Sequence, residues 1–255
     1  MSLRLPGIDA YAKSVDDIDG WFDWQDFKLF DSILAHQLDT GIKGDVLEIG
    51  AYRGKSAIVL GYGMRLAETL AICDPFENVG NHPDVRKMAI EEDQEGDYLA
   101  DFHLSQFTAN WDRFHDTRPT IYQCDSAELA VKALPLFRFI HLDGCHNYRC
   151  VGADIALAVQ HSGDRGVIVI DDWRNFSVPG VAAAAWEARH AGLINPFAVS
   201  PEKMYCAIGA VSQRYWAGVV KTWLAPNNRV SRFVSDGLRG DVYEFPDFEI
   251  VRIVS

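Results

Sequence analysis

Residues 45–56 read DVLEIGAYRGKS, an apolar run that breaks at a glycine turn and leads into a helix-like stretch. Val46, Leu47 and Ile49 suit a short buried strand, Gly50 and Gly54 open a turn, and Ser56 to Met64 (SAIVLGYGM) suits a helix packed on a sheet. A strand, a turn and a helix N-terminus in that order direct backbone N–H groups at an anionic or polar ligand. Spacing narrows which ligand. A phosphate-cradling loop needs four residues between its first glycine and Gly-Lys-Ser/Thr, whereas only Ala51, Tyr52 and Arg53 separate Gly50 from Gly54-Lys55-Ser56. The dinucleotide pattern GxGxxG fails as well, because Tyr52 stands where a second glycine would admit a pyrophosphate. What remains is E-x-G-x-x-x-G, in which Glu48 repels phosphate and suits a cationic or amine-bearing ligand.

Going outward, Leu66 to Phe76 (LAETLAICDPF) ends in a second short strand followed by Asp74, which lies 24 residues beyond Gly50. That interval is the one at which an acid on a second strand meets ribose hydroxyls, against the competing reading of Asp-Pro as a turn starter. Thr120 to Cys124 forms a third strand, and Asp125 or Ser126 caps the helix after it, with Glu128 in its first turn. FRFIHLDGCHNY (137–148) and GVIVIDDW (166–173) are apolar strands ending in Asp143 and in Asp171-Asp172. Parallel α/β sheets take ligands beyond the carboxyl ends of their strands, so these acids converge on the edge that holds Gly50. Clustered carboxylates repel unless protonated, hydrogen-bonded or bridged by a cation, and an oxygen-rich set suits Mg²⁺ or Mn²⁺. The competing reading of Asp171 and Asp172 is as caps of the segment that follows.

With 255 residues, the chain fits one α/β domain with additions. A net charge of −12 argues against a nucleic-acid partner, which needs many lysines and arginines to neutralise phosphates. Five cysteines, Cys73, Cys124, Cys145, Cys150 and Cys206, lie mostly in or near strand-like runs with no C-x-x-C pair, the pattern of reduced thiols rather than a zinc site. No leader-like segment and no apolar run near 20 residues is legible, which leads to an expectation of a soluble, cytoplasmic protein with no membrane partner.

In order along the chain, EIGAYRGKS, CDP, CDSAE, HLDGCHNY and VIDDW resemble the motifs of the class I S-adenosylmethionine-dependent methyltransferases. Within that class they look most like the macrocin O-methyltransferase-like group, over roughly residues 20 to 210. S-adenosylmethionine carries a sulfonium and an ammonium and no phosphate, in keeping with Glu48. The resemblance implies an α/β fold with a doubly wound, mostly parallel seven-stranded sheet. It implies S-adenosylmethionine contacts at Glu48, Gly50, Ala51, Tyr52, Gly54, Ser56, Asp74, Asp125, Ser126 and Asp143, and a Mg²⁺ or Mn²⁺ ion on Asp143, Asp171 and Asp172. The reaction implied is metal-assisted O-methylation of a small hydroxylated, sugar-like or natural-product-like acceptor, with His146 and Asp143 as the catalytic pair. The related pattern commonly reads D-G-D-H, and Cys145 takes the place of its second Asp, leaving His146 as candidate base against a structural or metal-shell role.

The expected organisation is an N-terminal helical cap at 1–40, the cofactor-binding domain at 41–210 and an extension at 211–255. Trp24, Phe27, Phe30, Ile33, Leu34 and Leu38 fall at helical spacing in the cap, a segment that in such enzymes covers the site or forms a dimer contact, so a homo-oligomer is an open expectation. Trp21, Phe22 and Trp24 read as packing, Phe107, Trp111 and Phe114 as one helix face, and Gly80, Asn81 and Pro83 as part of a loop closing over substrate. MYCAIG (204–209) reads as a sixth strand and 211–255 as a hairpin or partner contact. Two alternatives stand beside this reading: an NAD-dependent oxidoreductase, which Tyr52 and Glu48 disfavour, and a non-catalytic cofactor-binding protein of the same fold.

Overall fold

Alternation along the strands sets the layers. In β1 (Asp45–Ile49), Val46 joins the hydrophobic cluster on one side of the sheet and Leu47 the cluster on the other, as the two-residue period of a strand requires. Phe139 and Ile140 divide in the same way in β4 (Phe137–Leu142), as do Val167 and Ile168 in β5 (Ser162–Ile170). Strands apolar on both faces need helices on both. The computed structural model describes residues 5–81, 102–224, 239–244 and 249–254. Its helices are α1 (Ile8–Ala12), α2 (Trp24–Thr40), α3 (Lys55–Tyr62), α4 (Leu104–Trp111), α5 (Ser126–Leu129), α6 (Tyr148–His161), α7 (Pro179–His190) and α8 (Gly209–Leu224). Ile33 of α2, Val59 of α3 and Trp216 of α8 pack on the Val46 side, and Ile155 of α6 and Ala185 of α7 on the Leu47 side.

The other strands are β2 (Leu70–Cys73), β3 (Thr120–Tyr122), β6 (Asn195–Val199), β7 (Met204–Ala207), β8 (Arg239–Glu244) and β9 (Glu249–Val254). The sheet order is β3-β2-β1-β4-β5-β7-β6-β9-β8. β1 pairs in parallel with β2 and with β4, and β3 and β5 continue the parallel run outward. β7 lies antiparallel between β5 and β6. The winding changes direction between β1 and β4, and the crevice beyond the carboxyl ends at such a switch is where open α/β sheets hold ligands.

The doubly wound, mostly parallel α/β architecture agrees with expectation: β1 to β7 account for the seven expected strands, and among the described residues two more extend the sheet to nine. The surplus comes from the C-terminal stretch, where β8 and β9 form a hairpin and β9 docks in parallel on β6 through Ala198↔Val251. MYCAIG contains the seventh strand, not the sixth; the sixth, β6, opens with Asn195-Pro196, which reads as a turn. The aromatic cluster divides: Phe22 is buried, but Trp21 is 72% exposed and Trp24 is 41% exposed. Phe107 and Trp111 do share the buried face of α4, with Phe114 packed against the same cluster. The segment expected to close over substrate falls largely on 82–101, outside the described residues. All five cysteines are outside disulfides, Cys73 and Cys206 buried and the others half-buried. Among the described residues no helix is long and apolar enough to cross a membrane.

Candidate functional site

The glycine turn sits where two strand ends nearly touch. Gly50 has φ 82°, its N–H donates to the Cys73 carbonyl at 2.9 Å, and the N–H of Asp143 donates to the Ile49 carbonyl at 2.8 Å. Tyr52 (φ 47°) and Gly54 (φ 88°) also hold left-handed backbone, so the loop is tightly curled before α3 begins. Asp74 clamps that curl. Its Oδ2 accepts the N–H groups of Ala51 (2.7 Å) and Tyr52 (2.9 Å), and its Oδ1 accepts that of Phe76 (2.6 Å). Burial pushes its carboxyl up, and those three N–H donors pull against the shift.

A cavity of about 180 Å³ opens at this edge. Of the residues expected to bind the cofactor, Gly50, Ala51, Tyr52, Ser56, Asp74, Asp125, Ser126 and Asp143 line it, as does His146. Glu48 and Gly54 do not. Glu48 is completely buried beneath the turn, where its Oε1 accepts the Ser56 hydroxyl (2.6 Å) and lies 2.8 Å from His141 Nδ1. Asp125 lines the cavity and also caps α5, its Oδ1 accepting the Glu128 N–H at 2.9 Å. Trp21 lines the cavity too, its ring 5.6 Å from that of Tyr52, and Phe102 stands 5.1 Å from Tyr52 on the other contact. The sequence signal for Trp21 was there: it falls outside the helical period that starts at Trp24.

The three strand-end acids divide between two groups that overlap at Asp143. Asp171, only 7% exposed, pairs through Oδ2 with the ammonium of Lys203, and its Oδ1 accepts the N–H of Asp172 at 2.8 Å. His141 Nε2 lies 3.5 Å from the same Oδ2. Asp143 and Asp172 instead share His146, whose Nε2 is 3.1 Å from Asp172 Oδ2 and 3.9 Å from Asp143 Oδ1. Asp172 holds left-handed backbone (φ 55°), and its Oδ1 accepts the Asn175 amide at 3.0 Å. Gly180, in the first turn of α7, lets that helix press on the backbone around His146, since a Cβ there would stand 2.8 Å from the Tyr148 nitrogen.

Electrostatics follow from this division. Burial pushes Asp143 above the ordinary carboxylate range and the charge of Asp171 adds to it, while His146 and Lys203 pull back. Burial would raise Asp171 also, but Lys203 and His141 hold it well below that range. Burial would lower His141, yet its contacts with Asp171 and Glu48 hold it up at about 9. Lys203 and Asp26, which lies beyond it with its carboxyl raised by burial to about 6, carry no sequence motif.

Two sets of ligand atoms converge closely enough for a metal ion: His141, Asp143 and Asp171, and Asp143, His146 and Asp172. The first already contains the Lys203 ammonium on Asp171. The second is partly open, its side chains 21–28% exposed, and offers two carboxylates and a nitrogen, a donor set that fits a divalent cation.

Residues 47–173 match the family described as a methyltransferase domain, Methyltransf_24. Among solved structures the chain is similar to the O-methyltransferase NovP, with 15% identity and a TM-score of 0.55, covering 72% of this chain and 78% of that one. It is similar to the O-methyltransferase from Bacillus cereus in complex with SAH, with 12% identity and a TM-score of 0.50, covering 80% and 90%. It is also similar to CalS11, calicheamicin methyltransferase, with 16% identity and a TM-score of 0.51, covering 72% and 79%. Comparison with curated proteins gives no match.

Proposed function

The chain belongs to the class I S-adenosylmethionine-dependent methyltransferases, and from that premise we propose that it methylates a hydroxyl oxygen of a small acceptor. The observation that carries the reading is the make-up of the cavity. It joins the glycine turn to Asp74 and Asp125 on one side and to Asp143 and His146 on the other. Three carboxylates against the one lysine, Lys55, around this cavity disfavour a pyrophosphate and favour a ligand carrying an ammonium and a sulfonium. That balance counts against the NAD-dependent alternative.

In this reading Asp125 and Ser126 lie at the adenine end, the wall formed by the curled turn and Ser56 faces the methionine end, and Asp74 works chiefly by holding the turn in shape. Its three backbone donors leave it little capacity for ribose hydroxyls, so its part in binding is mostly indirect. The donor supplies a methyl group on a positively charged sulfur, and its neutralisation drives transfer. The chain must present an oxygen in line and accept its proton. Asp143 and His146 are the titratable groups placed for that: both line the cavity, and the raised carboxyl of Asp143 suits a base working near neutral pH. Alternatively the same two groups, together with Asp172, would hold a divalent cation, which when bound would acidify the acceptor hydroxyl in place of a protein base. Trp21 and Tyr52 supply an apolar rim for the acceptor. A sugar-like or natural-product-like acceptor is the class we favour, in line with the shared fold of NovP and calicheamicin methyltransferase.

Calorimetry against S-adenosylhomocysteine and NAD tests the reading. Binding of the first and not the second is expected; no binding of the first would end it. His146→Gln is then expected to keep S-adenosylhomocysteine affinity within a few-fold while methyl transfer falls by roughly 10²-fold or more.

A further inference from the structure

Asp154 is a buried acid that the transfer chemistry leaves unused. With Val151, Ile155 and Ala158 it falls at helical spacing on the inward face of α6, 4% exposed, where the pattern calls for an apolar side chain. Among the described residues no lysine, arginine or histidine pairs with it. A buried carboxyl without a cation is costly, and what offsets the cost is the Ser126 side chain of α5, in hydrogen-bonding contact with it. On its other side, Oδ2 lies 3.8 Å from where a Cβ on Gly144 would stand. Ser126 and Gly144 both line the large cavity, so Asp154 stands directly behind the wall that the cofactor would touch.

We propose that Asp154 is a positioning residue that holds the proton of the Ser126 hydroxyl, so that Ser126 Oγ turns only lone pairs to the cavity and selects the 6-amino edge of adenine over the 6-oxo edge of hypoxanthine. The inference deepens the methyl-donor reading and rests on it for the identity of the ligand. A hydroxyl has one proton to give and two lone pairs to receive with. Once the proton is committed to the carboxylate behind the wall, the oxygen can serve the cavity only as an acceptor. An amino group satisfies it; an oxo group sets acceptor against acceptor where water has been displaced, and the mismatch weakens binding. Selection of this kind is steeper than selection by shape, because the wrong ligand leaves polar groups without partners. The arrangement accounts for an acid on the apolar face of α6: a serine or asparagine there could turn the Ser126 hydroxyl either way, and a carboxylate fixes it.

Calorimetry at about pH 8, above the value of about 7 to which burial raises the Asp154 carboxyl, compares S-adenosylhomocysteine with S-inosylhomocysteine on the full chain. Wild-type protein is expected to prefer the adenosyl ligand by about tenfold or more. In Asp154→Asn the amide can donate to Ser126 Oγ or accept from it, so the preference is expected to fall to within about threefold. Ser126→Ala is expected to lose the preference as well, and Asp154→Asn added to Ser126→Ala is expected to leave the ratio of affinities where it stands. A carboxyl with a merely structural role would weaken both ligands alike and keep their ratio. A folded Asp154→Asn with the wild-type ratio overturns the proposal, as does a further change of ratio in the double variant. Where Asp154→Asn does not fold, Ser126→Ala decides: a preference that survives it overturns the proposal. Wild-type protein that binds neither ligand refutes the methyl-donor reading and this inference with it, whereas equal binding of the two refutes the inference alone.

Discussion

A Cβ on Gly50 would stand 1.9 Å from the carbonyl oxygen of Asp143, and the residue's φ of 82° is one that side chains resist. Gly50→Ala must therefore pry the ends of β1 and β4 apart. We expect it to lower stability by at least about 2 kcal/mol in urea unfolding and to abolish S-adenosylhomocysteine binding. His141 makes a prediction in pH. Its folded pKa of about 9 lies above the 6.5 of an ordinary histidine, so the folded state binds this proton more tightly than the unfolded chain does. That stabilisation is complete below pH 6.5 and disappears as pH rises through 9. On the order of 3 kcal/mol should be lost across this window in the wild type and much less in a folded His141→Gln, read from urea midpoints near either end. Glu48, expected among the cofactor contacts, lies beneath the cavity wall. Strand alternation puts it on the same face as Val46, under α3, so it props the turn from below instead of lining the cavity.

At the scale of elements, α2 is joined to the sheet by a buried arginine as well as by apolar contact. Arg138 of β4 donates from Nη1 to Gln37 Oε1 (2.7 Å), from Nη2 to the Gly63 carbonyl (2.5 Å), and pairs with Glu68 (2.9 Å), while the Gln37 amide returns a bond to the Arg138 carbonyl at 2.6 Å. Arg138→Leu leaves Glu68, α2 and the end of α3 without their shared donor. A loss of about 3–5 kcal/mol is expected in urea unfolding, recovered in part by Arg138→Leu with Glu68→Leu. Elements built on a clear period were legible: β1, β4 and β5 as apolar runs ending in acids, and α2 from Phe27, Phe30, Ile33 and Leu34. β6 was not, because Pro196 argues for a turn and its strand character comes from its neighbours β7 and β9. Lys203 was illegible for a related reason: its partner Asp171 is 32 positions away, and only the reversal from β6 to β7 brings them together.

For the molecule as a whole, the parallel strands carry the site and the C-terminal hairpin closes one flank. Ile250, Val251 and Ile253 of β9 are buried, and β9 covers the edge of β6. A chain ending at residue 238 would lose those side chains and expose that edge. We expect it to be less stable by about 5 kcal/mol and to self-associate, as light scattering would show. The acids at the strand ends were readable because fold topology brings carboxyl termini of parallel strands to one edge; how they pair there depended on side chains from α2 and the β6–β7 turn.

Cys145, which replaces the acid common in related motifs, gives the cavity a property unrelated to turnover. Its thiol lines the wall beside Asp143 and Gly144, and burial pushes its pKa up to about 12, so at neutral pH it stays protonated and reacts slowly with simple alkylating agents. An electrophile tethered to an adenosyl scaffold would gain from proximity what the thiol lacks in nucleophilicity, making this position a handle for covalent, site-directed labelling of the protein.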